Sequence, residues 1–371
     1  MATATPNAPS RRCACPTVAV RGARAKTSPP VGPCATANGW AARSRSTPKA
    51  RCWSDGWCKN SRMTKPSIIL DCDPGHDDAL AIVVAARYAD LLGITTVSGN
   101  APIESTTYNA LVMKDLLGLD VPVHKGAVRP LVAPPQYATY VHGESGLDGA
   151  DLPAPTSTID SEDAVGYIID TVRAHEGAWL VPTGPLTNIG LALRLAPDIK
   201  DRIAGISLMG GGLFGNRTTA AEFNIWVDPE AADIVFNYGG PLVMAGLHLT
   251  HQFRATQARI DRVKKLPGQL ANVLGDLMQF FTDTYMRRHH GMDGGAVHDP
   301  CSVLALTHPH LFTTKSAHVV IELNGEHTRG MTLIDQRDLK EVREANCDVL
   351  MTIDAEPAFD LMIDAIAHFS H

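Results

Sequence analysis

The chain has 371 residues, is 44% hydrophobic and 19% charged, and carries a formal net charge of −6. This is the composition of a soluble globular protein, and it excludes a fibrous or low-complexity chain. No run of about eighteen apolar residues occurs, which excludes a membrane-spanning helix.

Residues 1 to 64 differ from the rest. They are rich in Ala, Arg, Pro, Ser and Thr and show no apolar periodicity. They hold eleven Lys/Arg and one Asp, about +10, leaving 22 Lys/Arg against 38 Asp/Glu, about −16, for the remainder. Cys13, Cys15, Cys34, Cys52 and Cys58 lie here in spacings that fit no zinc site. Arg11-Arg12 is followed by no apolar segment that would make it an export signal. We read residues 1 to 62 as a disordered basic leader, an extended start or non-native reading, in preference to a nucleic-acid-binding tail. The working domain is expected over residues 63 to 371, beginning at Met63. Its three cysteines, Cys72, Cys301 and Cys347, are too few for a disulfide scaffold and suit a reducing cytoplasm.

From Met63 onward strand and helix patterns alternate. Ser67 to Leu70 reads as a buried strand, broken by Pro74-Gly75, and Ala79 to Leu92 as a helix. Leu92 to Ser98 reads as a strand ending at Gly99-Asn100, Ser105 to Leu117 as a helix, and Val121 to Val123 as a short strand. A long loop rich in Pro, Tyr and Gly follows, through Pro134-Pro135 and His142 to Gly149, with the length of a functional flap. Glu162 to His175 is a predicted helix and Ala178 to Pro182 a strand. Thr183 to Asn188 leads a helix to Leu195. Ala204 to Met209 is a strand, Pro229 to Asn237 a helix, Leu242 to Ala245 a strand and Leu266 to His289 a long helix. Short strands at Val319 to Leu323, Met331 to Asp335 and Val349 to Ile353 precede a closing helix, Pro357 to Phe369. Repeated β-then-α units predict an α/β fold: a single large domain with a mostly parallel open sheet flanked by helices.

The densest chemistry lies in Asp71-Cys72-Asp73-Pro74-Gly75-His76-Asp77-Asp78, four carboxylates on a strand-to-helix turn. In open α/β sheets ligands bind at the carboxyl ends of strands. Helix capping accounts for Asp77 and Asp78 but not for four acids, which repel one another unless a cation compensates. An all-oxygen donor set favours Ca²⁺ or Mg²⁺ over zinc. Polar residues gather at other predicted strand ends: Asn100, Thr183, Met209, Asn216, Glu222, Asn224, and His298-Asp299-Pro300. Each has a plainer role open to it. Asn100 and Asn188 serve as well as turn or cap residues. Glu222 and Asn224, two apart, share a face if they lie on a strand, and could then bracket a diol. His142 could be a surface residue, and His298 a core histidine. Gly210-Gly211-Gly212 lacks the Lys-Ser/Thr of a phosphate loop.

The stretch Asp71 to Ala79 resembles the amino-terminal signature of the inosine-uridine nucleoside hydrolase family. The order of Gly99-Asn100, His142 through Gly149, Pro182 through Asn188, Met209 through Gly212, Ala221 through Asn224 and His298 through Cys301 agrees with it. The resemblance runs from about Met63 to the C-terminus. It implies a Rossmann-like nucleoside hydrolase fold and hydrolysis of the N-glycosidic bond of purine or pyrimidine ribonucleosides, with bound Ca²⁺. It implies Asp73, Asp78, Asp299 and the Thr183 carbonyl as metal ligands and Asp77 as the base acting on the attacking water. It implies Asn100, Asn216, Glu222 and Asn224 on the ribose hydroxyls, with Met209 beside the sugar. His298 would face the nucleobase as proton donor, and His142 would come in from the flap. The stretch Tyr285 to His290 departs from the family pattern and leaves the base preference open. A homo-oligomer, dimer or tetramer, in the cytoplasm is expected, with a ribonucleoside as partner and neither nucleic acid nor membrane.

The chemistry stands beside the resemblance. A ribosyl centre gains oxocarbenium character as the base leaves, and an acceptor-rich pocket stabilises it. A Mg²⁺-dependent phosphohydrolase is the rival enzyme; Pro74-Gly75 and the lack of a phosphate-binding Lys at a strand end argue against it. A non-catalytic nucleoside-binding protein is the second rival, and it has no need of Asp77.

Overall fold

The computed structural model describes residues 65–288, 290–337, 339 and 343–370. The leader read over residues 1 to 62, Met63 and His289 lie outside the described residues.

Among the described residues the strands in chain order are β1 (Ser67–Cys72), β2 (Asp90–Thr96), β3 (Val123–Lys125), β4 (Trp179–Pro182), β5 (Gly205–Met209), β6 (Leu242–Ala245), β7 (Arg254–Thr256), β8 (Gly294–Ala296), β9 (Phe312–Ala317), β10 (Val319–Ile321), β11 (Thr332–Ile334) and β12 (Cys347–Ile353). Eight form one sheet in the order β3-β2-β1-β4-β5-β6-β12-β9. Every pair in it is parallel except β12 with β9. β7–β8 and β10–β11 are separate antiparallel ladders. The expected mostly parallel sheet with helices is what folds.

β1 sits mid-sheet because its side chains, Ile68, Ile69, Leu70 and Cys72, are apolar on both faces and fully buried. From β1 the chain runs outward through β2 to β3, then returns to β4 on the other side of β1. The strand order therefore reverses between β1 and β4, and the crevice above their carboxyl ends is where such sheets take ligands. Register fixes what stands there: Asp71 pairs with both Thr95 of β2 and Pro182 of β4, so the residues that follow all three strands emerge at one edge.

The helix after β1 is His76–Tyr88, buried at every residue from His76 to Ala85. It packs against Pro300–Thr307 and Ala355–Phe369, while Ala164–Ala174, Thr187–Leu195 and Pro229–Phe236 pack among themselves. Ile69 joins that second group in one core with Leu180, Ile206 and Met244.

Several boundaries differ from expectation. The first helix stops at Tyr88 instead of Leu92, because Asp90 already pairs with Ser67 as β2 begins. An apolar run such as Leu91-Leu92 does not by itself distinguish helix from strand. The long helix read over Leu266 to His289 begins only at Gln269. Pro267 interrupts the backbone bonding, and Gly268 takes φ +89°, a value that ends a helix. A separate helix, Gln257–Lys264, precedes it. β9, with the sequence FTTKSA, gave no apolar alternation because it is an exposed edge strand.

Candidate active site

The acids of the first loop divide into two sets. Asp71 points behind the sheet edge, where its Oδ1 accepts from Thr95 Oγ1 (2.6 Å) and Asn188 Nδ2 (2.8 Å). Burial holds its carboxyl up, to about 7. Asn188 thus supports the loop from below and does not reach the pocket. Asp73, Asp77 and Asp78 turn the other way. Asp73 Oδ2 accepts from the Asn100 backbone N–H (2.7 Å), and Asn100 Nδ2 reaches Asp78 Oδ2 (3.1 Å). Asp78 also accepts from Gly75 N–H (3.0 Å) and Thr183 Oγ1 (2.7 Å). A Cβ at Gly99 or Gly184 would lie 2.1 or 2.4 Å from the Asp73 carboxylate, so glycine at both positions makes its seat. Asp77 accepts from the His298 backbone N–H (3.3 Å), which joins the loop to Asp299 at the start of Pro300–Thr307.

These groups floor a pocket with about 680 Å³ of empty space, part of it open to solvent. Asp77, Asn100, His142, Thr183, Met209, Asn216, Glu222, Asn224, His298 and Asp299 all line it; Asp73 and Asp78 do not. Residues from seven separate stretches of sequence thus converge on one edge.

One expectation is corrected. Glu222 and Asn224 do not share a strand face. Glu222 caps the helix Phe223–Val227, its carboxylate accepting from Asn224 N–H, Ile225 N–H and Gly211 N–H. A carboxylate followed by residues with free N–H groups nucleates a helix end, which the alternation of Ala-Glu-Phe-Asn disguised. Burial still raises Glu222 to about 6, against those backbone bonds. Asn224 Nδ2 donates to the Thr183 carbonyl (2.7 Å) and rests 3.4 Å from Met209 Sδ. Asn216 Oδ1 accepts from Phe223 N–H (2.9 Å), which turns its amide nitrogen free of that bond.

The far wall holds residues that the sequence reading left without roles. Phe281, Tyr285 and Arg288 line the pocket from the helix Gln269–Arg288, and Tyr140 lines it from the flap helix Thr139–His142. Their spacing of four and three puts Phe281, Tyr285 and Arg288 on one helix face, a signal present in the sequence. Tyr285 Oη lies 2.9 Å from His251 Nε2, and Thr250 Oγ1 lies 2.7 Å from His298 Nδ1. His290 is exposed.

The donor set suits a hard divalent cation. One carboxylate oxygen from each of Asp77, Asp78 and Asp299 lies within 4.8 Å of the others, all buried. Asp73 Oδ1 is buried with no hydrogen-bond partner among the described residues. Burial, and after it mutual repulsion, pushes Asp77 to about 7 and Asp73 and Asp299 well above the carboxylate range. A bound cation would relieve that repulsion and bring all of them down. The group within mutual reach includes Asp77, expected as a base, and does not include Asp73. Thr183, whose carbonyl was expected in the set, stands at the pocket wall.

Comparison with known proteins agrees with this geometry. The family described as "Inosine-uridine preferring nucleoside hydrolase" matches residues 68–360. A "Pyrimidine-specific ribonucleoside hydrolase RihA" of Shewanella woodyi is 44% identical over 313 residues, 83% of this chain and 100% of the relative. The protein of the same description from Salmonella typhimurium is 41% identical over 308 residues, 82% of this chain and 99% of its own. Among solved structures, a purine-preferring ribonucleoside hydrolase from Gardnerella vaginalis aligns with a TM-score of 0.77 at 34% identity, over 82% of this chain and 98% of that one. The plant nucleoside hydrolase PpNRh1 aligns with a TM-score of 0.74 at 29% identity, over 82% and 99%.

Proposed function

The chain belongs to the inosine-uridine preferring nucleoside hydrolase family, and on that premise we propose that it cleaves pyrimidine ribonucleosides, uridine and cytidine ahead of inosine, to ribose and free base in a Ca²⁺-dependent reaction. The base preference rests on the relatives at 41–44% identity, described as pyrimidine-specific. The observation that carries the reading is the pocket itself. It joins a carboxylate floor to an amide-and-carboxylate wall and sets an imidazole and aromatic rings across from them.

Asp78, Asp299, Asp73 and the Thr183 carbonyl, with Asp77 at its edge, would hold the ion. A bound Ca²⁺ would supply positive charge beside the ribose hydroxyls and the attacking water. Asn100, Asn216, Glu222 and Asn224 orient the sugar, with Met209 against its face. Asp77, at the pocket surface, takes the proton of the attacking water. His298, which also lines the pocket, gives a proton to the departing base. Phe281, Tyr285 and Val141 exclude bulk water from the sugar.

The test is ribose release from uridine, cytidine and inosine, with and without a Ca²⁺ chelator, alongside phosphate release from the nucleotides. Uridine and cytidine should lead, and chelation should stop them. Phosphate in place of ribose would make the protein a phosphohydrolase; an unchanged rate under chelation would remove Ca²⁺ from the reaction.

A further inference from the structure

His76 stands inside the acidic loop, between Gly75 and Asp77, and nothing above gives it a task. It is 1% exposed. Its ring stacks on Phe280, with centroids 5.3 Å apart at 7°, and on Phe281, 5.7 Å apart at 22°. Both ring nitrogens are engaged. Nε2 lies 2.9 Å from the Asp148 carbonyl oxygen, which only accepts, so Nε2–H donates to it. Nδ1 lies 3.0 Å from Nδ1 of His142.

Those two partners are the two ends of one flap segment. His142 closes the helix Thr139–His142. Asp148 ends the turn that follows, and its carboxylate gathers Glu144 N–H, Ser145 N–H and Ser145 Oγ, which makes the turn a preformed unit. The His76 backbone N–H also lies 3.3 Å from His142 Nδ1. With Nε2–H given to Asp148, Nδ1 of the neutral His76 ring is an acceptor, so His142 Nδ1–H donates to it, and the backbone N–H packs against the same nitrogen without a lone pair to bond. The close approach demands glycine at position 75, where a Cβ would stand 2.6 Å from that nitrogen. His142 Nε2 makes no hydrogen bond among the described residues, is not among the sealed polar atoms, and belongs to a ring that lines the pocket.

We propose that His76 is a positioning residue: by bridging the two ends of the flap turn it fixes the His142 ring so that Nε2, and only Nε2, meets the nucleoside. This rests on the reading of the pocket as a nucleoside site. The partner of Nε2 is a polar group of the nucleoside, either a sugar hydroxyl or the edge of the base.

The test is a double-mutant cycle between the two histidines. His76→Phe keeps the stack on Phe280 and Phe281 but bridges nothing, and KM for uridine should rise about ten-fold, the worth of one such bond, with kcat within two-fold. His76→Gln, whose amide offers an acceptor to His142 and an N–H to Asp148, should restore KM. His76→Phe added to His142→Ala should cost nothing beyond His142→Ala alone. With 5′-deoxyuridine, a lost His76→Phe effect assigns Nε2 to the 5′-hydroxyl and a retained one to another polar group of the nucleoside. Additive losses, or a Gln variant as impaired as the Phe variant, would overturn the proposal. If His76→Phe does not fold, His76→Asn, too short to span both partners, takes its place in the cycle. A wild-type protein that cleaves no nucleoside would instead overturn the reading of the pocket.

Discussion

On one side of the pocket, Asp73, Asn100 and Thr183 follow the ends of β1, β2 and β4 and Asp78 stands in the first turn of His76–Tyr88, all tied to one another and to backbone. On the other, His142 of a short flap helix meets Phe281 of a long one ring to ring, Tyr285 packs on Phe281, and Tyr140 meets Arg288 of the same long helix. The first side has its geometry set by sheet register, so an error there disturbs charge. The second is set by packing of rings from different segments, so an error there disturbs orientation. Variants on the floor should therefore act on metal content and kcat, and variants on the flap on KM.

The largest effect is expected at Asp78, which holds Gly75, Asn100 and Thr183 at once. Asp78→Ala removes a charge and that junction together. The purified variant should contain no Ca²⁺ by elemental analysis, and ribose release should fall at least about 10³-fold, on the scale of a lost electrostatic stabiliser. Full metal occupancy would take Asp78 out of the ligand set.

Asp77→Asn keeps shape and removes the base, so kcat should fall about 10²- to 10⁴-fold while KM and Ca²⁺ content hold. Asp73→Asn is its counterpart, because Asp73 Oδ1 is buried without a hydrogen-bond partner among the described residues. If Asp73→Asn keeps the metal and loses kcat while Asp77→Asn stays active, the two roles are exchanged.

His298→Ala tests the boundary between the two sides. It should slow uridine about 10²-fold, as expected for a lost proton donor, and leave a nitrophenyl riboside nearly untouched, because that leaving group departs without a proton. Equal slowing of both substrates would reduce His298 to shaping the pocket beside Asp299.

The contrast also explains what could be read from the chain. The floor was legible because an apolar run that stops in four acids states both a strand and its chemistry, and a parallel sheet brings other strand ends to the same edge. The capping role of Glu222 was not, since its bond to Gly211 spans a loop and its local alternation resembles a strand. The bridging role of His76 was not, since its partner lies 66 residues away and only the tertiary fold brings them together. β9 was missed because a polar edge strand has no apolar face to betray it.

The smallest effect is expected at the rim of the flap. Tyr140 is 39% exposed, and its ring lies 4.4 Å from the Arg288 guanidinium and 6.0 Å from that of Arg217. Arg217 is itself stacked on Trp226 at 4.3 Å, so it stays in place without Tyr140. An exposed cation–π contact contributes about 0.5–1 kcal/mol, and only the Arg288 contact is close. Tyr140→Leu keeps the apolar bulk that helps cover the pocket and removes the ring's attraction for the cations. KM for uridine should therefore rise about two- to five-fold, with kcat, Ca²⁺ content and melting temperature unchanged. Raising the salt concentration should change the variant's KM less than the wild type's, since screening weakens only a contact that exists. A fall in kcat or in bound Ca²⁺ would show that the flap reaches the floor, and the division between the two sides would not hold.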